Sequence, residues 1–560
     1  MAHQGGFFVN ETYDYIICGG GTSGCVIAGR IAGNSAALIL IIEAGPSNDS
    51  YPATAIPAAV SQILGTEADW NIKSEPCEEL ENRQLHLARG KFLGGSSGYN
   101  GTLAIRGNRQ DYDNWGLERW SGDEMFKYMS KAEAFRNKSW FDAEKDAHGY
   151  NGPIVTSPHD PAPISNLVLE SYQSMGLPLI PDMFSTGKSA HGCGHAVRTV
   201  SQGTRTMSTD YITSSTENSA GALRANGVFL QDTTGQKSFV KARKEFIISA
   251  GTYGSPAILL RSGIGAKQEV EKLGIQSQVD LPGVAKNLMD HLVVLSFYEV
   301  PKPTLTNDHL IWHPSGKDKS LAQYKTDKTG FFSQFPFGTF AFARLDSRLA
   351  DSHLWNSAPR TKGLDPMGLS PTQPHVEFWN TECYSPKYMF RDFPPDGKYA
   401  FAMATEFFAP RSRGEVSHKS SDPTENPIVN HRYLEDPLDM LVFSEGCRMA
   451  NEIAMKGAGT KDIVIGSWPR SRNHHTFTTR EEWVPIIRSN ADTCYHPAGT
   501  CKMGRPDDPL AVLDENLKVR GITGLRVADA SVMPSLIGGH PQMPVYGIAE
   551  KAADLIISEK

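Results

Sequence analysis

The first fifty residues hold a strand, a glycine turn, a helix and a second strand, and this unit constrains the chain more than anything after it. The apolar run Tyr15 to Cys18 reads as a buried parallel strand entering the turn Gly19-x-Gly21-x-x-Gly24. A helix follows with Cys25, Val26, Ala28 and Ile31 on its inner face. A second strand, Leu38 to Ile42, reads as buried and ends in Glu43. Glycines at these places permit a tight turn and close backbone approach, the helix N-terminus meets a pyrophosphate, and the acid receives ribose hydroxyls. An acid rather than an arginine after the second strand disfavours a 2′-phosphate, so FAD or NAD is expected over NADP. The fingerprint alone does not separate those two.

At 560 residues the chain is too long for one ordinary core, and two or more joined domains are expected. A net charge of -7 leaves no footprint for nucleic acid. No run of about 18 apolar residues offers a membrane span. The eight cysteines are scattered without zinc spacing, so no metal site is expected. The first ten residues lack the basic and apolar regions of a signal peptide, and the last residues are not a Ser-Lys-Leu address. The expectation is an intracellular protein. A mature secreted form stays open, because Asn10, Asn48, Asn100 and Asn137 each begin an Asn-x-Ser/Thr acceptor.

Further along, Arg89 to Gly107 is too rich in glycine and small hydroxyls for a packed helix, and suits backbone lying against a flat or anionic ligand. Asn166 to Met175 has helical period. Val228 to Asp232 and Lys237 to Ser249 read as strands, the second leading into another glycine corner, Ala250 to Gly265. From about 293 to 487 the texture changes. Aromatic strands at Gly330 to Phe342 and Tyr399 to Phe408 suggest an antiparallel sheet with one face toward a cavity, a plain core role being the alternative. Near the C-terminus, His496 sits in a proline-bounded turn, Asp529 ends a strand from Leu525, and His540 precedes a final amphipathic helix, Val545 to Ile557. Imidazole suits the removal of a hydroxyl proton at neutral pH, and Asp529 is placed to accept from a ribityl chain.

Together these pieces resemble the glucose–methanol–choline (GMC) oxidoreductases nearly end to end. One family signature is matched by Gly251 to Gly265. The other is matched by Gly90 to Gly107 with a departure at Tyr99, where an aliphatic residue or histidine is usual. Asn287 to His291, His496 to Thr500 and Val527 to Ser531 also fit. The resemblance implies an α/β fold: a discontinuous Rossmann-like FAD-binding domain with an α+β substrate domain on an antiparallel sheet. It divides the chain into FAD-binding segments 11–125, 190–292 and 488–560, and substrate-domain segments 126–189 and 293–487. It gives His496 the role of base and His540 that of its partner. It gives FAD contacts to Gly19, Gly21, Thr22, Ser23, Gly24, Glu43, Ala44, Trp70, Gly95, Ser96, Asn100, Gly101, Thr102, Leu103, Asp529, Ala530 and Gln542. Members that bind FAD covalently use a histidine where this chain has Tyr99, so noncovalent FAD is expected. Relatives usually carry roughly two strands between the helix near Tyr211 and the strand at Val228, for which Glu217 to Gly227 leaves almost no room.

The activity this implies is oxidation of a primary alcohol, aromatic or unsaturated in view of the aromatic strands, by hydride transfer to flavin N5. O2 or another acceptor then reoxidises the flavin. The alternative is a non-redox lyase or cyclase of secondary metabolism that keeps FAD structurally. A light-driven fatty-acid decarboxylase and a non-catalytic flavin-binding protein are disfavoured by the histidine pair.

Overall fold

A computed structural model describes residues 12–212, 228–231, 237–301, 303, 305–384 and 397–559. Strand β1 (Thr12–Cys18) feeds helix α1 (Thr22–Asn34), which returns through β2 (Ile39–Ile42). Much later come a hairpin, β3 (Val228–Gln231) and β4 (Lys237–Ile248), and helix α2 (Gly251–Arg261). The middle of the chain supplies β5 (Leu292–Val300), β6 (Phe337–Ala343), β7 (Val376–Thr381), β8 (Tyr399–Phe407) and helix α3 (Pro437–Lys456). Strand β9 (Leu525–Val527) and helix α4 (Gln542–Ser558) complete the outline. The short Glu217 to Gly227 connection falls outside the described residues.

Two sheets organise these elements. In the first, β1 lies between β2 and β4, parallel to both, and β9 runs parallel to β4, so three distant chain segments share one sheet. β2 corrects one expectation. It is the edge strand, and Ile39 to Ile42 are only half-buried. Helix α1 is covered by α4: Arg30 Nη2 lies 2.6 Å from the fully buried Glu550, which also accepts from Tyr211 Oη at 2.8 Å. Gly29 lets α1 approach the Tyr211 backbone, since a Cβ there would stand 2.3 Å from the Tyr211 carbonyl oxygen.

The second sheet is antiparallel, running Gly466–Trp468, β5, β8, β7, β6, Gly192–Gly194, with Asp492–Thr493 also on β5. The period of two sorts its residues. Val294, Val376, Phe378, Phe401, Met403 and Phe407 face the main core and α3, where the Phe407 and Phe443 rings stack at 5.6 Å. Val293, Phe340, Phe342, Trp379, Ala404 and Phe408 join a second apolar cluster that reaches Tyr99 and Leu103 of the glycine loop. Among the described residues no helix is long and apolar enough to cross a membrane.

Candidate active site

At the nucleotide end, Gly19 has φ +107°, in the region open to glycine. The helix N-terminus is N-capped by Gly21 with no side-chain hydrogen bond, so its first N–H groups are free for an anion, and a Cβ on Gly21 would meet nothing within 4 Å. Gly95 closes over this turn, with its Cβ position 2.9 Å from Gly21 Cα. Ser23 Oγ and Thr102 Oγ1 are buried and unpartnered, which fits two hydroxyls awaiting a polar ligand. Glu43 accepts from the backbone N–H groups of Gly20 at 2.9 Å and Gly45 at 3.1 Å, and burial raises its pKa. Its remaining lone pairs are those a ribose would use.

The other expected contacts are placed unequally. Asn100 is fully engaged: its amide donates to the carbonyls of Ser96 and Ser97, and Oδ1 accepts from Thr102 N at 2.8 Å and Arg205 Nη1 at 2.6 Å. This order removes it as a glycosylation acceptor and makes it the brace of the loop. Gly101 packs against the second sheet, its Cβ position 3.5 Å from Phe337. Gln542 donates to Thr199 Oγ1 at 3.2 Å. Ala44 and Trp70 lie at the exposed rim, with Lys91 Nζ 5.0 Å from the Trp70 ring centroid. Asp529 differs from its expected part. Its carboxylate already accepts from Gly251 N at 2.9 Å, Ser255 Oγ at 2.5 Å and Ser531 N at 2.8 Å. It pins the glycine corner to the strand end beside Ala530, and little of its capacity is left for a ribityl chain.

The two histidines expected to act together do meet. The His496 and His540 rings lie 4.7 Å apart at 76°. Asn287 to His291 explains how His496 is held. Met289 and Ala498 exchange backbone hydrogen bonds at 3.0 and 2.9 Å, and Asp290 accepts from His496 N at 2.8 Å. Thr493 and Tyr433 each donate to the same aspartate at 2.6 Å.

Around the histidines stand two buried glutamates from facing positions of β7 and β8, Glu377 and Glu406. His540 Nε2 lies 2.8 Å from Glu377 Oε2 and 3.8 Å from Glu406 Oε2. Glu406 Oε1 lies 3.0 Å from His496 Nδ1 and 3.3 Å from His291 Nδ1. Trp379 Nε1 donates to Glu406 Oε2 at 3.4 Å, and the Cys494 thiol also bonds this carboxyl. Burial and the neighbouring Glu406 charge raise the Glu377 pKa well above the usual range, so Glu377 is the protonated member. Burial also opposes ionisation of Glu406, but His540, His496 and the bonds from His291 and His496 outweigh it, and its pKa falls well below the usual range. Burial lowers the pKa of His496 and His540 against the opposing pull of the Glu406 carboxylate, which favours an imidazole free to take a proton.

Glu377, Glu406 and His291 are the site residues that sequence reasoning missed. A lone acid in each of two apolar strands was the available signal, because a charge buried without purpose is costly.

Family models of GMC oxidoreductases match residues 13–223 and 212–293 for the N-terminal part and 410–549 for the C-terminal part. An oxygen-dependent choline dehydrogenase of Photobacterium profundum is 32% identical, over 98% of this chain and 94% of its own length. Pyranose dehydrogenase 3 of Leucoagaricus meleagris is 29% identical, over 97% and 92%. Among solved structures, a variant of formate oxidase from Aspergillus oryzae RIB40 superposes with a TM-score of 0.91 at 28% identity, covering 99% of each chain. The fold and site define an FAD-dependent oxidoreductase with a Rossmann-like domain and a separate substrate sheet. The chain belongs to the GMC oxidoreductase family, and its cofactor is FAD.

Proposed function

We propose that this enzyme oxidises a primary alcohol, aromatic or unsaturated, to the aldehyde. The observation that carries the reading is the pairing of two imidazoles whose outer nitrogens, His496 Nε2 and His540 Nδ1, make no hydrogen bond among the described residues, while His496 Nδ1 lies 3.0 Å from Glu406 and His540 Nε2 2.8 Å from Glu377. Bound FAD supplies the hydride acceptor, and O2 or another oxidant completes the cycle. His496 Nε2 takes the hydroxyl proton. His540, with Nε2 satisfied by the protonated Glu377, presents Nδ1–H to the substrate oxygen and orients it. The aromatic wall of Phe337, Phe340, Phe342, Trp379 and Phe408 supports an unsaturated substrate and keeps water from the reacting atoms. Tyr99 Oη donates to Asp69 at 3.2 Å, and its place in the covalent-attachment run supports noncovalent FAD.

The test is anaerobic mixing of the purified yellow protein with benzylic, allylic and saturated primary alcohols, choline, a pyranose and formate, following the oxidised-flavin band. Bleaching by benzylic or allylic alcohols before the others is expected. Readmitted air then separates oxidase from dehydrogenase by the speed at which colour returns. A flavin that dithionite reduces but none of these substrates bleaches sinks the redox reading in favour of a lyase or cyclase.

A further inference from the structure

We infer that Arg198 anchors an anionic group of the substrate, so that the alcohol taken by this site carries a carboxylate. The inference rests on the alcohol-oxidising reading above and deepens it by naming the substrate class.

The unused capacity of one buried cation carries the argument. Arg198 is only 2% exposed and lies on a short strand, Val197–Arg198, opposite Leu103 of the glycine loop. Its Nη2 donates to the carbonyls of Phe337 at 2.7 Å and Gly338 at 3.4 Å. Nε and Nη1 are buried with no hydrogen-bond partner, and among the described residues no carboxylate pairs with this side chain. Burial lowers its pKa to about 9, which still leaves the guanidinium charged at neutral pH. Glu382, the carboxylate whose charge acts on it most, bonds instead to Ala162 N at 2.6 Å and Ser165 Oγ at 3.0 Å.

The other buried arginines among the described residues, Arg106, Arg205 and Arg526, are treated differently. Arg106 Nη2 lies 2.6 Å from Glu133, and Arg526 Nε lies 2.8 Å from Glu245. Arg205 gives Nε to Thr54 O at 2.9 Å, Nη1 to Asn100 Oδ1 at 2.6 Å and Nη2 to Pro57 O at 3.2 Å. A buried charge with open donors and no counter-ion is costly, and the donors left on Arg198 suit a carboxylate that arrives from outside the chain.

The register of the substrate sheet links Arg198 to the histidines. Its guanidinium carbon lies 5.0 Å from the Phe340 ring centroid. Phe340 faces Trp379 across β6 and β7, and Phe342 faces Glu377, so Phe340 and Glu377 are diagonal neighbours about 7–8 Å apart. Glu377 lies 2.8 Å from His540 Nε2, and the Arg198 charge lowers the pKa of both. Glu377 Oε1 is likewise buried without a partner, so open polar atoms mark both ends of that diagonal. Leu103, Phe340 and Trp379 belong to one apolar cluster alongside it. One benzene ring with a hydroxymethyl group and a carboxylate at opposite ends matches such a span, and the same charge disfavours a cationic alcohol.

The experiment is equilibrium binding of benzoate and of benzamide to the oxidised holoenzyme by calorimetry, followed by flavin reduction with 4-(hydroxymethyl)benzoate and benzyl alcohol. Benzoate is expected to bind the wild type about tenfold or more tightly than benzamide, and Arg198→Met to bring the two within about twofold. The carboxylated alcohol is expected to half-saturate flavin reduction at about one-tenth the concentration of benzyl alcohol or less. A wild type that takes benzoate no better than benzamide, an Arg198→Met that keeps the wild-type preference, or equal half-saturation by the two alcohols overturns the assignment. Should Arg198→Met fail to fold, Arg198→Lys, which keeps the cation but not the Nε–H, is expected to weaken benzoate more than benzamide, and an unchanged ratio there overturns it too. Benzoate binding does not depend on turnover, so a failed alcohol panel and a failed anchor are read separately.

Discussion

Replacing Gly24 by alanine tests whether the glycine turn is shaped by the backbone contact seen here. A Cβ at Gly24 would sit 1.9 Å from the Gly19 carbonyl oxygen, against the 3.4 Å at which ordinary contact begins. The carbonyl has nowhere to retreat. Gly19 N donates to Ile42 O at 2.8 Å, and the α-carbon side of Gly19 is pressed against Ser249. Helix α1 must therefore lift from the turn by about 1.5 Å, and clashes of this kind cost about 1–3 kcal/mol in a packed interior. Lifting the helix also moves the N–H groups that would hold the pyrophosphate. Gly24→Ala is expected to elute from gel filtration with most of its flavin absorbance lost and a lower Tm. Gly33→Ala, on the exposed far end of the same helix with nothing within 4 Å, is the control. It should keep its flavin and melt no lower, since alanine gains up to about 1 kcal/mol over glycine in a helix. A Gly24→Ala protein with full flavin and wild-type Tm, or an equal loss in Gly33→Ala, refutes the reasoning.

His496→Ala should keep FAD but lose alcohol oxidation by about 10²–10⁴-fold, the usual worth of a general base, while His540→Asn, which can still donate to the substrate oxygen, should lose less; single-turnover flavin reduction measures both, and equal activity of His496→Ala and wild type removes the proposed base. Acid precipitation should leave the yellow colour in the supernatant, as noncovalent FAD requires, and colour fixed in the pellet would contradict it. Burial works against the Glu133 carboxylate, but Arg106 at 2.6 Å, His148 and Thr156 outweigh it and bring its pKa from 4.5 to about 2. Because the folded pKa is depressed, this pair stabilises the protein above the unfolded value and the benefit fades as pH falls from 4.5 toward 2, a swing of about 3 kcal/mol. Glu133→Gln should lower Tm near neutrality and flatten its fall across that acid range; an unchanged acid limb would show that the pair carries no such linkage.

Much of the fold could be read in the sequence because the decisive signals are local. The strand, glycine turn, helix and acid of β1 to Glu43 lie within one window of chain, and both histidine loops carry their own turn residues. What could not be read depends on pairing at a distance. Glu377 and Glu406 face each other only through the antiparallel register of β7 and β8, and His291 reaches His496 across 205 positions. The half-burial of β2 follows from its edge position, which no apolar run announces. Asp529 was legible as a strand end suited to a ribityl chain, but the donors that engage it, Gly251 and Ser255, come from a different chain segment.

The aromatic wall shows how one extra residue can change the outcome of a periodic pattern. The run from Gly330 to Phe342 alternates as a strand would, yet the strand begins only at Phe337. Residues 331–333 form a tight turn, and Pro336 has no N–H to give a ladder. Within β6 the register against β7 shifts between Phe337 and Phe340. By strict alternation Phe337 would share a face with Thr339 and Ala341, opposite Phe340 and Phe342. The bulge spends one residue at Gly338–Thr339 and turns Phe337 onto the same face as the other two. Asn380 holds that bulge from β7, with Oδ1 accepting from Thr339 N at 2.9 Å. Gly338 is required there, because a Cβ would stand 2.0 Å from Ser165 Oγ and 2.5 Å from Asn380 Oδ1. Phe337 then packs on Trp379 at 4.1 Å between ring centroids and meets Gly101 of the flavin loop. One displaced register thus packs the antiparallel sheet against the glycine-rich loop through Phe337.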